Sequence, residues 1–106
     1  MASVIVRNKA KNRLSKILEQ SYLDYGQTTM LRFLSELERI EKRLSKQPLS
    51  YPIEPLLVGM KREYRGCILK KNFKLIYYYC PRRREVIIST VWDMRMSPER
   101  LVKEFL

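Results

Sequence analysis

The residues of this chain best suited to chemistry are cations. Between Tyr64 and Arg95 stand Arg65, Lys70, Lys71, Lys74, Arg82, Arg83 and Arg84, interleaved with Tyr77, Tyr78 and Tyr79. Lys and Arg at this density suit contacts to phosphate, and the Arg fork meets two oxygens at once. Lys70, Lys71, Arg82, Arg83 and Arg84 are therefore candidates for binding nucleic acid or another target, with the tyrosines as faces on which bases could stack. The plainer roles are weighed beside these: tyrosines at a period of two pack sheets, and an arginine-rich turn keeps a sheet edge solvated. What the chain lacks narrows the chemistry further. It contains no histidine, which excludes Ser-His-Asp and Cys-His nucleophilic sites. With only Cys67 and Cys80 besides, a zinc site lacks ligands. Both cysteines are expected to be reduced and packed, and no metal or other cofactor is expected.

Charge points to the class of partner. Lys and Arg number 22 against 11 Asp and Glu, a net charge of +11. Such an excess holds a domain near a polyanion: nucleic acid, an acidic membrane or an acidic protein. Residues 63–92 carry seven basic and two acidic side chains, the largest regional surplus in the chain. At 106 residues the sequence predicts one domain over 1–106, long enough for one core without metals or disulfides. No apolar run approaches the roughly 18 residues that cross a bilayer. The N-terminal apolar patch is too short for a signal peptide, so a cytoplasmic location with no membrane partner is expected.

The elements that must position these cations can be read from periodicity. Ser3 to Arg7 is β-branched and predicts a first strand. Asn8 is a candidate N-cap, and Ala10, Leu14, Ile17, Leu18, Tyr22 and Tyr25 make the stripe of an amphipathic helix that Gly26 ends. Thr28 or Thr29 is predicted to cap a second helix with Met30, Phe33, Leu34, Leu37, Ile40 and Leu44 on its buried face. A short link makes the two an antiparallel αα-hairpin. Leu49 to Arg62, with Pro52, Pro55 and Gly59, reads as a connecting loop anchored by Ile53, Leu56 and Leu57. Three strands are then predicted over Tyr64–Lys70, Phe73–Cys80 and Glu85–Trp92, joined by turns at Lys71-Asn72 and Pro81–Arg84 that force antiparallel neighbours. Gly66 suggests a bulge in the first of these. Alternation places Val86, Ile88 and Trp92 on one face of the last strand and Ile87 and Val91 on the other. Ser97-Pro98-Glu99 starts a closing helix. The class is α+β: an N-terminal strand, the helical hairpin, a three-stranded antiparallel meander in a sheet of about four strands, and a short C-terminal helix.

Taken together, a strand, a helical hairpin, YRGCILKKNFKLIYYY, a short turn, EVIISTVWDMR and S-P-E-R-L resemble the RelE/ParE family of bacterial type II toxins over nearly the whole chain. The resemblance implies a small basic growth inhibitor held inactive by a cognate acidic antitoxin, with Tyr78, Trp92, Leu101 and Phe105 as the residues that meet it. It implies one of two targets. RelE-like members enter the ribosome and cut mRNA without a metal, the RNA's own 2′-hydroxyl attacking the adjacent phosphate. Arg65, Lys74 and Arg95 match catalytic cations of that group, whereas Cys67 falls where those members carry a second lysine and Leu101 roughly where they carry a tyrosine. Glu54, Glu63 and Asp93 are the nearest acids. ParE-like members poison DNA gyrase and lack the cleavage set. The long helices, the Pro-containing connector and the R-x-x-P-x-x-L ending look ParE-like, so gyrase is the favoured target, with the mRNA endoribonuclease as the alternative. A third reading is a non-enzymatic or inactivated basic binding module.

Overall fold

The computed structural model describes residues 1–106. Its elements, in order, are β1 (Ser3–Val6), α1 (Asn8–Tyr25), α2 (Gln27–Lys46), a 3-10 turn (Pro55–Leu57), β2 (Arg65–Leu69), β3 (Phe73–Cys80), β4 (Glu85–Asp93) and α3 (Pro98–Glu104). This is the predicted α+β plan, with strand ends moved by a residue. The sheet order is β1-β4-β3-β2. β2, β3 and β4 form the antiparallel meander, and β1 adds in parallel to β4, Val4 opposite Val86 and Val6 opposite Ile88.

The helical hairpin is tighter than its sequence predicts. Gly26 alone separates the helices, and its φ of +88° is a conformation glycine adopts without steric cost. It ends α1, its N–H reaching Tyr22 O at 2.8 Å, and it is also the residue before α2. Thr28 and Thr29 are therefore inside α2 and cap nothing. Asn8 likewise lies inside α1, with Arg7 before it in extended conformation.

Both faces of the sheet are buried by different means. On the helical face Ala10, Phe33, Leu37, Ile40 and Leu44 close over Cys67, Leu69, Leu75, Tyr77, Val86, Ile88 and Val91. On the opposite face Leu57 and Leu101 close over Ile76 and Trp92, with Met60, Tyr64, Met94 and Phe105 packed around them. The connector is thus a cover for the sheet, through Leu57; Ile53 and Leu56 face outward.

Two local readings are corrected by the register. Tyr77 pairs with Ile88 but Ile76 pairs with Thr90, so Ser89 is an extra residue on β4. The bulge lies there, and it reverses the alternation beyond it: Val91 joins Val86 and Ile88 on the helical face, and Trp92 turns to the other. Gly66 pairs regularly with Ile76 and is not bulged. The turn between β2 and β3 is Lys70-Lys71-Asn72, with Lys70 and Lys71 at φ of +51° and +63°.

Candidate functional site

The three cations matched to RNA cleavage do not converge. Arg65 stands opposite Tyr77 and Lys74 lies three residues earlier on β3. An odd separation along a strand puts the side chains on opposite faces, at about 10 Å along the strand. Arg65 points to the helical side. Its Nη1 donates to Tyr51 O at 2.7 Å and Leu49 O at 3.3 Å, and its Nη2 reaches Glu63 Oε1 at 2.6 Å. The neighbouring phenol of Tyr77 donates to Pro48 O at 2.8 Å, so both side chains pin the chain as it leaves α2.

Lys74 points to the other face and meets a buried acid. Its Nζ is 2.8 Å from Glu54 Oε2, and the Glu54 side chain is 2% exposed. Gly66 makes room for them: a Cβ there would lie 2.7 Å from Lys74 Cδ and 2.9 Å from Glu54 Oε2. In a strand, glycine marks either a bulge or a close approach, and here it is the approach. Arg95 lies beyond β4, exposed, with Nε 3.0 Å from Asp93 Oδ1 and Nη2 2.9 Å from Asp93 Oδ2. This fork holds the Asp93 carboxyl below the usual carboxylate range.

Each of the three cations thus has its own carboxylate, Arg65 with Glu63, Lys74 with Glu54 and Arg95 with Asp93. These are the three acids singled out from the sequence, and each is held by one of the cations. The phenol of Tyr77 is pushed up to about 12, chiefly by burial. Burial also pushes up the Cys67 thiol, which is an inert packing group. Cys80 is half-buried, and the two cysteines are not bonded to each other.

The other predicted contact residues divide between the two ends of the sheet. Lys70 is turned inward, its Nζ 2.9 Å from Ser21 Oγ and 5.2 Å from the centre of the Phe33 ring. Lys71 is exposed at the same turn. Arg82, Arg83 and Arg84 are exposed at the turn between β3 and β4. Arg84 has a φ of +52°. Tyr77, Tyr78 and Tyr79 offer no open stacking surface, because Tyr77 and Tyr78 are buried and Tyr79 packs against the helical core. Trp92 and Leu101 are inside the second core, and Phe105 rests on Tyr64 with ring centres 4.5 Å apart.

Sequence reasoning passed over two arginines that gather at Tyr78. Arg7 Nη2 donates to the Tyr78 hydroxyl at 3.0 Å, and the Arg62 guanidinium stands 4.8 Å from the centre of the Tyr78 ring. Arg7 lies between β1 and α1 and Arg62 ends the connector, so no motif joins them. The only hint is that Arg7 shares a strand face with Ile5. Between Arg7, Arg62, Arg82 and Arg83 lies an open depression of about 780 Å³ floored by Tyr78 and Ile87, with the acid Glu85 and the exposed Ile5 also in its lining. A second, of about 530 Å³, continues from Arg7, Arg62 and Tyr78 toward Lys61 and the Lys9–Glu104 ion pair, with Phe105 in its lining.

An acidic clip closes the far side. β1 ends opposite Ile88, which leaves the edge of β4 unpaired beyond it. Arg13 of α1 covers that edge, with Nη1 2.6 Å from Thr90 Oγ1 and 3.3 Å from Val91 O. Glu104 of α3 meets both Arg13 Nη2 at 2.5 Å and Lys9 Nζ at 2.8 Å. Burial pushes the Glu104 carboxyl up, but the two cations outweigh it and hold it below the usual range.

The fold is that of the RelE/ParE toxins. The chain superposes on the chromosomal ParDE toxin–antitoxin system of P. aeruginosa with a TM-score of 0.67 at 17% identity, over 88% of this chain and 96% of that one. A metal-bound toxin from Helicobacter pylori matches with a TM-score of 0.65 at 16% identity, over 90% of this chain and 97% of that one. The isolated E. coli RelE toxin matches with a TM-score of 0.61 at 16% identity, over 100% of both chains. No family model and no curated protein matches the sequence. No three His, Cys, Asp or Glu side chains gather in this chain as they would around a metal ion.

Proposed function

We propose that this chain is the toxin of a type II toxin–antitoxin pair, that a cognate acidic antitoxin neutralises it, and that it acts by binding its target rather than by cutting RNA. The likeness of fold to a ParDE system and to RelE supports the toxin reading. One observation carries the choice between mechanisms: Arg65, Lys74 and Arg95 are each neutralised by a carboxylate of the chain itself. Stabilising a pentavalent phosphorane requires positive charge aimed at one point. Here Arg65 and Lys74 are on opposite faces of the sheet, and no free acid or base stands beside either. DNA gyrase, the target that resemblance to ParE implies, is the target we assign.

Induction in cells tests this directly. Gyrase-dependent DNA breaks with intact mRNA are expected, and co-expression of a short acidic protein from the adjacent reading frame should restore growth. Rapid loss of ribosome-bound mRNA would overturn the binding mechanism. Unimpaired growth would overturn the toxin reading and leave a basic binding module.

A further inference from the structure

A cleft of about 650 Å³ opens where α1, the end of β4 and α3 come together. β1 has stopped opposite Ile88, and α3 meets α1 through Glu104, which holds Lys9 and Arg13. Lys9 and Glu104 also border the depression at Tyr78, so their ion pair is the partition between the two spaces. The wall of the cleft is apolar: Ile17 of α1, Phe73 at the start of β3, Val91 and Trp92 of β4, and Met96 before α3. The polar groups along it are spent within the chain. Arg13 donates to Thr90 Oγ1 and Val91 O, and the Met96 N–H donates to Asp93 O at 3.0 Å. Both acids of the lining are bound as well, Glu104 by Lys9 and Arg13, and Asp93 by the Arg95 fork. Two cations remain. Lys16 on α1 and Arg100 on α3 border the cleft, are exposed and form no ion pair. Arg100 Nη1 lies 3.7 Å from Met96 Sδ, which sets the guanidinium beside the apolar wall.

We infer that this cleft binds a small organic anion with an apolar body, a medium-chain or aromatic carboxylate, whose charge Lys16 and Arg100 meet and whose body covers Phe73, Trp92 and Met96. The site lies apart from the proposed action on a target and does not depend on the toxin reading. Sites for small molecules enclose about 300–1,000 Å³ and are mostly apolar, with a few charged groups that fix orientation. The cleft has that size and that make-up. Its unpaired side chains are both cations, so they favour an anion and repel a cation. An extended protein segment suits it less, because adding a strand to β4 requires the edge carbonyl of Val91, which Arg13 already occupies. A bound ligand would bridge α1 and α3, so its concentration would set how firmly α3 is held.

Trp92 is the only tryptophan of the chain and borders the cleft, so its emission reports on the site without a label. Octanoate titrated into the whole chain should change that emission saturably, with half-saturation at or below about 1 mM, and calorimetry should return the same constant. 1-Octanol keeps the body without the charge, and acetate keeps the charge without the body. Each should bind at least about tenfold more weakly than octanoate. Lys16→Ala/Arg100→Ala should weaken octanoate by about tenfold. Arg32→Ala/Arg39→Ala removes the same charge from the outer side of α2 and should leave the affinity unchanged. Equal losses in the two variants would reduce the effect to net charge and overturn the site. Octanol binding as tightly as octanoate would overturn the role of the cations, and no saturable response by either method would overturn the proposal outright. Should Lys16→Ala/Arg100→Ala fail to fold, Met96→Gln at the exposed part of the wall tests the site with no change of charge. It should weaken octanoate by about threefold, and unchanged affinity overturns the proposal.

Discussion

Lys74 and Glu54 meet over the bare backbone of Gly66, Nζ to Oε2 at 2.8 Å, and the missing side chain of the glycine is the space they use. The pair joins β3 to the connector just before the 3-10 turn, and so helps hold Leu57 down on the second core. A lysine that resemblance to RelE-like members would make a catalytic cation is, in the fold, the partner of a buried acid.

Gly66→Ala should therefore destabilise the protein. The new Cβ would lie 2.7 Å from Lys74 Cδ and 2.9 Å from Glu54 Oε2, closer than carbon and oxygen atoms approach without displacement. A cost of about 1–3 kcal/mol is expected from overpacking. Urea unfolding measures it. A neutral result would mean that the pair can shift aside at no cost.

Removing one member of the pair should cost more than removing both. Lys74→Met leaves the Glu54 carboxylate, 2% exposed, without a partner. A loss of about 3 kcal/mol is expected, and Glu54→Gln added to it should recover part of that loss. If the chain is the toxin proposed above, the double variant should inhibit growth as the parent does, because in the binding mechanism Lys74 is not chemical. Loss of inhibition in a well-folded double variant would return Lys74 to the active residues.

Arg65→Ala should act on stability in the same way. It removes bonds to Tyr51 O and Leu49 O and the ion pair with Glu63. About 2 kcal/mol is expected, against about 1 for Tyr77→Phe, which loses the bond to Pro48 O. Both anchors hold the same segment after α2, so the double variant should lose less than the sum of the two. Thermal unfolding of the three variants checks this.

Three basic residues occupy backbone conformations that glycine would adopt more easily, Lys70, Lys71 and Arg84. Arg84→Gly should raise stability by about 1 kcal/mol by relieving the left-handed conformation. If the exposed turn serves target binding, the same variant should bind more weakly while unfolding at a higher temperature. A variant no more stable than the parent would show that Arg84 makes a compensating contact in solution.

Acid should loosen α3 first. The folded Glu104 carboxyl is held below its unfolded value of about 4.3, so its contribution is fully present above that pH and is lost as pH falls through the folded value. Lys9 and Arg13 are partly solvated, which limits the contribution to about 0.5–1 kcal/mol. Glu104→Gln should flatten this limb of the stability curve. Hydrogen exchange at the α3 amides, followed from neutral pH to below pH 4, would locate the change.

Most of the architecture was legible because it depends on local pattern. Gly26 ends a helical stripe, short turns force an antiparallel meander, and Ser97-Pro98 begins a helix. The failures share a cause. The Ser89 bulge leaves no trace in a strand that is apolar on both faces, so strict alternation put Trp92 with Val86 instead of with Ile76. Gly66 announces itself as unusual, but the sequence does not say whether a bend or a neighbour requires it. The pairing of Lys74 with Glu54 and the meeting of Arg7 with Arg62 at Tyr78 join residues far apart in the chain, and only the fold brings them together. Matching single positions to a family's pattern identified the cations and could not reveal their partners.

The parallel pairing of β1 with β4 also sets a time. Val6 has its partner only when Ile88 has been made, and at cellular rates of synthesis that is on the order of ten seconds later. The helical hairpin can form from local contacts during that interval, but the first strand waits with its hydrogen-bonding groups unpaired. Arg7, just after that strand, reaches Tyr78 only once the sheet has closed. The depression around Tyr78 therefore does not exist until β4 has been made, and a nascent chain that stops short of Ile88 carries its arginines but not their arrangement.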